Sequence, residues 1–273
     1  DAVAWMLELL RDDAQHSSLT PPCVVTPKDW TSVFSGGYYS GAMYFPAISL
    51  NSQKYLRDTN RISQPKELAC LNALQKTSWG VNHAVSQLLE TMIERGASVA
   101  GLPGEELPVP APPFKRERHE KISPAEKEVL TLYRQQARQI HEQNSKSRSL
   151  RLHSIRCLQT IRQYSHKNFY YVYVSDFRGR KYPAHSALSP QGPDFSRACL
   201  QFSKGVPIKT KEAELFLGSH GAAMYGFDKV SMVDRLEWVR ANESKIVKSA
   251  ESPLDFDWWT DADKPFQFYA FCV

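Results

Sequence analysis

The sequence predicts an α+β chain that is mainly helical. Three observations carry this. Apolar residues recur at helical spacing over residues 64–98 and again over 124–165. Proline and glycine clusters separate these runs. From Phe169 the chain turns aromatic and β-branched, Phe169-Tyr-Tyr-Val-Tyr-Val174, before helical patterns return.

Taken in order, residues 1–53 combine a short helix over Val3–Arg11 with strands and turns, broken at Pro21-Pro22, Pro27 and Gly36-Gly37. The Gly36-Gly37-Tyr38-Tyr39 loop lacks the Lys-Ser/Thr ending of a phosphate loop. One long helix is expected over 64–98. Pro65 suits its first turn, and Leu74, Val81, Val85, Leu88 and Met92 form its core stripe. Residues 101–124 are rich in proline and glycine and read as a mobile excursion. Ser123-Pro-Ala-Glu126 then opens a helix with a capping box and a proline at its first position. That helix is expected to break near Asn144–Ser147 and to end near Ser165, giving two long antiparallel helices. At about 100° per residue, Leu150, Cys157, Ile161 and Tyr164 share one face. Arg148, Arg151 and Arg162 fall opposite, beside Ile155 and Leu158. Farther on, helices are expected over Glu212–Tyr225 with Gly226 as its stop, from Ser231 to about Ala250, and from Pro265 onward.

The chain has 273 residues and a formal net charge of +5, unevenly spread. Residues 1–53 carry two Lys/Arg and five Asp/Glu, residues 54–168 nineteen and eleven, and residues 169–273 thirteen of each. The middle is therefore the basic part. Between Arg134 and Lys167 eight cations face a single acid, Glu142, which is an electrostatic footprint for a polyanion. The five cysteines show no C-x-x-C pair, which argues against a zinc site or disulfide framework and fits a reducing compartment. No apolar run of about 18 residues indicates a membrane span, and Asp1-Ala-Val-Ala-Trp-Met-Leu7 lacks the basic region of a secretory leader.

The densest chemistry lies in Ser175-Asp-Phe-Arg-Gly-Arg-Lys-Tyr182, directly after the strand pattern and shortly before Pro190-Gln-Gly-Pro-Asp194. Arginine presents a planar fork of donors that matches phosphate oxygens. Gly179 lets the backbone turn tightly. A salt bridge between Asp176 and Arg180 that shapes the turn is the plain structural alternative, and both roles can coexist. The segment resembles the D-x-x-G-R element of single-subunit, phage- and mitochondrial-type DNA-directed RNA polymerases, with Phe177 where a tryptophan is common. Similar blocks follow in family order: Cys23-Val-Val-Thr-Pro-Lys-Asp-Trp30, Ser35-Gly-Gly-Tyr-Tyr39, Gln75-Lys-Thr-Ser-Trp79, Phe202-Ser-Lys-Gly-Val-Pro-Ile208, His220-Gly-Ala, Asp228-Lys-Val230, Ser252-Pro-Leu254, Trp258-Trp259 and Pro265-Phe-Gln-Phe-Tyr-Ala-Phe-Cys272.

The resemblance implies a right-hand polymerase architecture, incomplete without a partner chain. Residues 1–53 would be a remnant of the N-terminal domain, 54–165 the helical thumb with the 101–124 excursion, and 166–273 the first part of the palm. It implies template and hybrid contacts by Asp176, Arg178, Gly179, Arg180 and Tyr182. Lys146, Arg148 and Arg151 would contact hybrid or RNA from the thumb, with Arg197 and Lys204 as weaker candidates, and Lys229 would reach the phosphates of incoming ribonucleoside triphosphates. The two Mg²⁺ ions of nucleotidyl transfer would sit on aspartates of a second subunit, because the family's metal-binding and fingers motifs are absent from this sequence. Asp255/Asp257 and Asp261/Asp263 read as capping turns instead. The apolar segment 265–273 is expected to need cover from that second chain. The picture implied is the smaller subunit of a split, heterodimeric phage polymerase in the cytoplasm of an infected bacterium, with a single-stranded-DNA-binding factor that recruits it. The alternative is a stand-alone nucleic-acid-binding regulatory protein derived from a polymerase fragment. His220 reads as a packing residue, and Trp258-Trp259 as core or interface.

Overall fold

The structure is a computed structural model that describes residues 20–40, 45–49, 53–61, 64–98, 100–114 and 123–273. The expected helix Val3–Arg11 lies outside the described residues. In chain order the elements begin with β1 (Lys28–Ser32), β2 (Ser35–Gly37), β3 (Ile48–Ser49), α1 (Gln53–Arg61), α2 (Pro65–Gln75) and β4 (Trp79–Val81). Next come α3 (His83–Glu94), α4 (Pro124–Tyr164), β5 (Tyr173–Asp176), β6 (Lys181–Pro183), α5 (Asp194–Ala198) and β7 (Leu200–Phe202). The chain continues with α6 (Lys211–Tyr225), α7 (Met232–Ala241), α8 (Glu243–Glu251), a 3₁₀ turn (Asp257–Asp261) and α9 (Pro265–Cys272). The mixed, helix-dominated class agrees with the sequence.

The strands among the described residues form three small sheets. β1 and β2 make an antiparallel hairpin, β4 pairs antiparallel with β7, and β5 lies between parallel β3 and antiparallel β6. The long helix expected over 64–98 is instead α2, β4 and α3. Trp79–Val81 gives its backbone to the ladder with Leu200–Phe202. Asn82 then restarts the helix, its side chain accepting from the Val85 N–H at 3.3 Å. Val81 is therefore a buried strand residue rather than part of a helical stripe.

One core runs through these elements, joining Trp30, Leu71, Val85 and Leu89 to Cys157, Ile161, Phe169, Tyr171, Phe195, Trp259, Phe266 and Phe268. Polar side chains staple the strands to α2. Gln75, fully buried, donates to the Lys28 carbonyl at 3.1 Å and accepts from the Tyr173 N–H at 3.2 Å. The Asn72 carboxamide pairs with both backbone groups of Trp30, at 2.7 and 3.1 Å. Trp30 Nε1 donates to the Tyr173 carbonyl at 3.0 Å. Each such bond contributes only about 0.5–1.5 kcal/mol net, but losing one partner strands a buried group at about 1–3 kcal/mol. The Gly36-Gly37 pair serves this packing: a Cβ on Gly36 would lie 2.5 Å from Trp30 Cα, and one on Gly37 2.9 Å from the indole.

The expected capping box at Ser123 and Glu126 is present. The expected break at 144–147 is not: α4 is one uninterrupted helix of 41 residues, about 60 Å long at 1.5 Å per residue. Nor do residues 101–107 hang free. They are strapped to α4, as the bonds below describe. The last helix, α9, buries Phe266, Phe268 and Tyr269 against α5, α6 and α8 of this same chain, so that apolar segment is covered largely from within.

Candidate nucleic-acid interface

β5 leaves the core at the turn. Tyr173 and Ser175 are buried, whereas Phe177 is 68% exposed. The Asp176 N–H donates to the Arg180 carbonyl at 2.8 Å, and the Gly179 N–H donates to the Asp176 carbonyl at 3.0 Å. Gly179 takes φ +81°, the left-handed region that a side chain resists. Asp176 Oδ1 accepts from the backbone N–H groups of Arg178, at 2.9 Å, and Arg180, at 2.8 Å. The carboxylate is thus committed to backbone donors, and the guanidinium groups of Arg178 and Arg180 stand out in solvent. Arg178 sits 4.9 Å over the Phe177 ring, a cation–π contact.

Strand alternation sorts the remaining residues. Tyr182 is 39% exposed. Lys181, between Arg180 and Tyr182, turns inward: its Nζ lies 2.5 Å from Glu67 Oε1 and 2.7 Å from the Gly179 carbonyl. Burial pushes the Glu67 carboxyl up, but bonds from Lys181 and Ser175 outweigh it and hold the group below its ordinary value. Lys181 is a positioning residue that the sequence reading passed over; the period of two was the available signal.

Along α4, Leu150, Cys157, Ile161 and Tyr164 pack inward as the wheel predicts. Leu158, expected as footing for the cationic face, is buried as well. The cationic face holds the strap. Asn144, itself buried, pairs with both backbone groups of Leu107 at 2.8 Å. Arg148 grips Glu106 with two bonds, at 2.8 and 3.2 Å. Arg151 donates to the Gly104 carbonyl at 2.8 Å, and Arg162 pairs with Glu90. Lys146 is exposed one step along from these contacts.

Lys229 is exposed in the turn between α6 and α7. Arg235 steadies that turn by donating to the Asp228 carbonyl and to Ser219 Oγ. Around His220, which is exposed, the glycines permit close helix packing: a Cβ on Gly218 would lie 3.0 Å from Leu236, and one on Gly221 2.4 Å from Phe271. Trp259 is fully buried, and Trp258 stacks in an aromatic cluster with Tyr225 and Trp238.

Residues 209–273 match the family model described as DNA-dependent RNA polymerase. The chain is 32% identical over 262 residues to T7 RNA polymerase of Escherichia phage T7, covering 94% of this chain and 28% of that one. It is 34% identical over 261 residues to the DNA-directed RNA polymerase of Enterobacteria phage K11, covering 94% and 28%. To the mitochondrial DNA-directed RNA polymerase of Schizosaccharomyces pombe it is 31% identical over 279 residues, covering 97% and 23%. This chain is homologous to the phage- and mitochondrial-type single-subunit RNA polymerases. It spans about a quarter of their length. The relatives include mitochondrial and chloroplast polymerases, so kinship alone does not single out an infected bacterium.

The Pro190–Asp194 block has a concrete task. Asp194 accepts from the Phe266 N–H at 2.7 Å and from Gln267 Nε2 at 2.9 Å, capping α9 from the first residue of α5. Among the described residues no three His, Cys, Asp or Glu side chains converge to hold a metal. The Mg²⁺ that the resemblance implies has no such ligand set among the described residues. Among the described residues no helix is long and apolar enough to cross a membrane.

Proposed function

We propose that this chain is the hybrid- and template-binding portion of a DNA-directed RNA polymerase, with residues 54–165 serving as thumb and 166–273 as the first part of the palm. The observation that carries the reading is the turn at 176–180. Its acid is spent on backbone donors, so two arginines are presented to solvent on a conformation already fixed. Such groups bind phosphates without first losing turn entropy. Arg178, Arg180 and Tyr182 contact template and hybrid. Lys146 tracks the hybrid backbone along α4, where Arg148 and Arg151, expected beside it, are engaged by Glu106 and the Gly104 carbonyl, and Lys229 meets the triphosphate of the incoming nucleotide. The carboxylates that hold Mg²⁺ come from further polypeptide, in the split-subunit form of this reading a second chain.

Two experiments test this. The chain should bind a short RNA–DNA hybrid with steep salt dependence, and Arg180→Ala should weaken binding and flatten that slope by about one. Primer extension with Mg²⁺ and ribonucleotides, on the chain alone and with a candidate downstream chain, tests the split. Activity confined to the pair and abolished by Arg180→Ala, with the complex intact, supports it. An inactive, stable pair refutes it.

A further inference from the structure

A second feature lies at the β4–β7 ladder. A cleft of about 400 Å³ opens there between the turn after α2 and the end of β7. Lys76 and Lys204 stand on its rims, both exposed. Thr77 and Ser203 bring hydroxyls, and Asn168 a carboxamide. Among the described residues Lys76 has a loose partner, Asp29 at 3.7 Å, with both side chains more than half exposed. Such a pair is screened and contributes little, so it leaves the lysine available. Ser78 Oγ is buried without a hydrogen-bond partner among the described residues. That oxygen is closed to solvent and is no contact for a ligand in the open cleft.

The wall is aromatic. Phe202 lines the cleft and is 62% exposed, yet it is held in place: its ring lies 4.8 Å from the Trp79 ring, tilted by 33°. A fixed, solvent-facing ring beside two lysines and two hydroxyls matches the chemistry of one nucleotide in a single strand. The base takes the ring, and the phosphate takes the cations. An apolar ligand would leave the lysines and hydroxyls unused, and a bare anion would leave Phe202 without a role.

We propose that this cleft is a single-strand subsite, separate from the Asp176–Arg180 turn, which stacks one base on Phe202 and holds the adjoining phosphates on Lys76 and Lys204. The inference rests on the polymerase reading for its ligand class but uses none of the residues that carry it. A DNA strand and an RNA strand share the chemistry.

The test measures binding of labelled dT8 and rU8 to the 273-residue chain across a salt series. Phe202→Ala should weaken binding on the order of tenfold, the usual effect of losing one stacked base, and Phe202→Trp should restore it. Lys76→Ala with Lys204→Ala should flatten the salt slope by about 1.4, at about 0.7 per phosphate contact on a single strand. Because all three residues are exposed, a thermal melt should confirm that the variants fold. Cross-linking of 5-iodouridine to the peptide bearing Phe202 would locate the base, and the tighter of dT8 and rU8 names the strand. Wild-type affinity and slope in the cleft variants, with binding lost in Arg178→Ala/Arg180→Ala, would overturn the subsite and leave the polymerase reading standing. Loss in the cleft variants alone, with hybrid binding indifferent to the two arginines, would uphold the subsite and count against the turn.

Discussion

Replacing Asp176 by alanine removes the acceptor that fixes the arginine turn. Two backbone N–H groups, those of Arg178 and Arg180, lose a carboxylate at 2.9 and 2.8 Å. Hydrogen bonds to a charged group contribute about 1.5–3 kcal/mol each. The turn is open to water, so the freed donors are resolvated, and the pair together should be worth about 2 kcal/mol. If the turn closes by no more than that margin, its binding-competent fraction falls, and apparent affinity falls with it. The limit is about thirtyfold, since 1.36 kcal/mol is a factor of ten. Asp176→Asn keeps a neutral acceptor and should fall between. The assay is fluorescence anisotropy with a short RNA–DNA hybrid, run beside a thermal melt. Arg180→Ala provides the contrast: its melt should not move, while its salt slope drops. Wild-type affinity and an unmoved melt in Asp176→Ala would refute the argument that this carboxylate preorganises the arginines.

Three further outcomes are expected. Asn144→Ala removes both bonds to Leu107; because Leu107 is 47% exposed and water can replace them, the cost should be only about 1–2 kcal/mol. Cleavage by a glutamate-specific protease at Glu105-Glu106 should nonetheless quicken, and an unchanged rate would show that the strap is held by other means. Gly221→Ala sets a Cβ 2.4 Å from the Phe271 ring, so urea unfolding should report a loss of about 1–3 kcal/mol from overpacking. Burial pushes His185 down to about 4, and His153 adds to this against the opposing bond from Thr20. Its neutral form is therefore favoured by folding. Stability is fully present above about pH 6.5 and is lost at about 1.4 kcal/mol per unit as pH falls toward 4, some 3 kcal/mol in all. His185→Gln should flatten that dependence in melts from pH 7 to 4.5.

Local rules made several elements legible. Ser123, Pro124 and Glu126 announce a helix start because a capping box involves only neighbours in sequence. Gly226, at φ +135°, stops α6 where expected, and Phe169–Val174 reads as buried extended chain because it is aromatic and β-branched throughout. The helix from Ser231 runs as expected except for an interruption at Asn242. The misreadings share a cause. Trp79–Val81 continues a helical stripe by spacing, and only pairing with Leu200–Phe202, far along the chain, makes it a strand. Asn144 and Ser147 look like helix breakers, yet their side chains bind the strap, at Leu107 and Gly104, and the helix runs through.

The sequence by itself determined the helix-dominated class, the basic middle, the arginine turn and the polymerase kinship, because composition, caps and motif order are written in neighbouring residues. Tertiary structure decided how the charges are spent. Asp176 serves backbone donors rather than a guanidinium, Lys181 turns inward to Glu67 while Arg180 does not, and Arg148 grips Glu106 across 42 positions. Those choices depend on which groups folding brings within 3 Å of one another, and no local pattern specifies that.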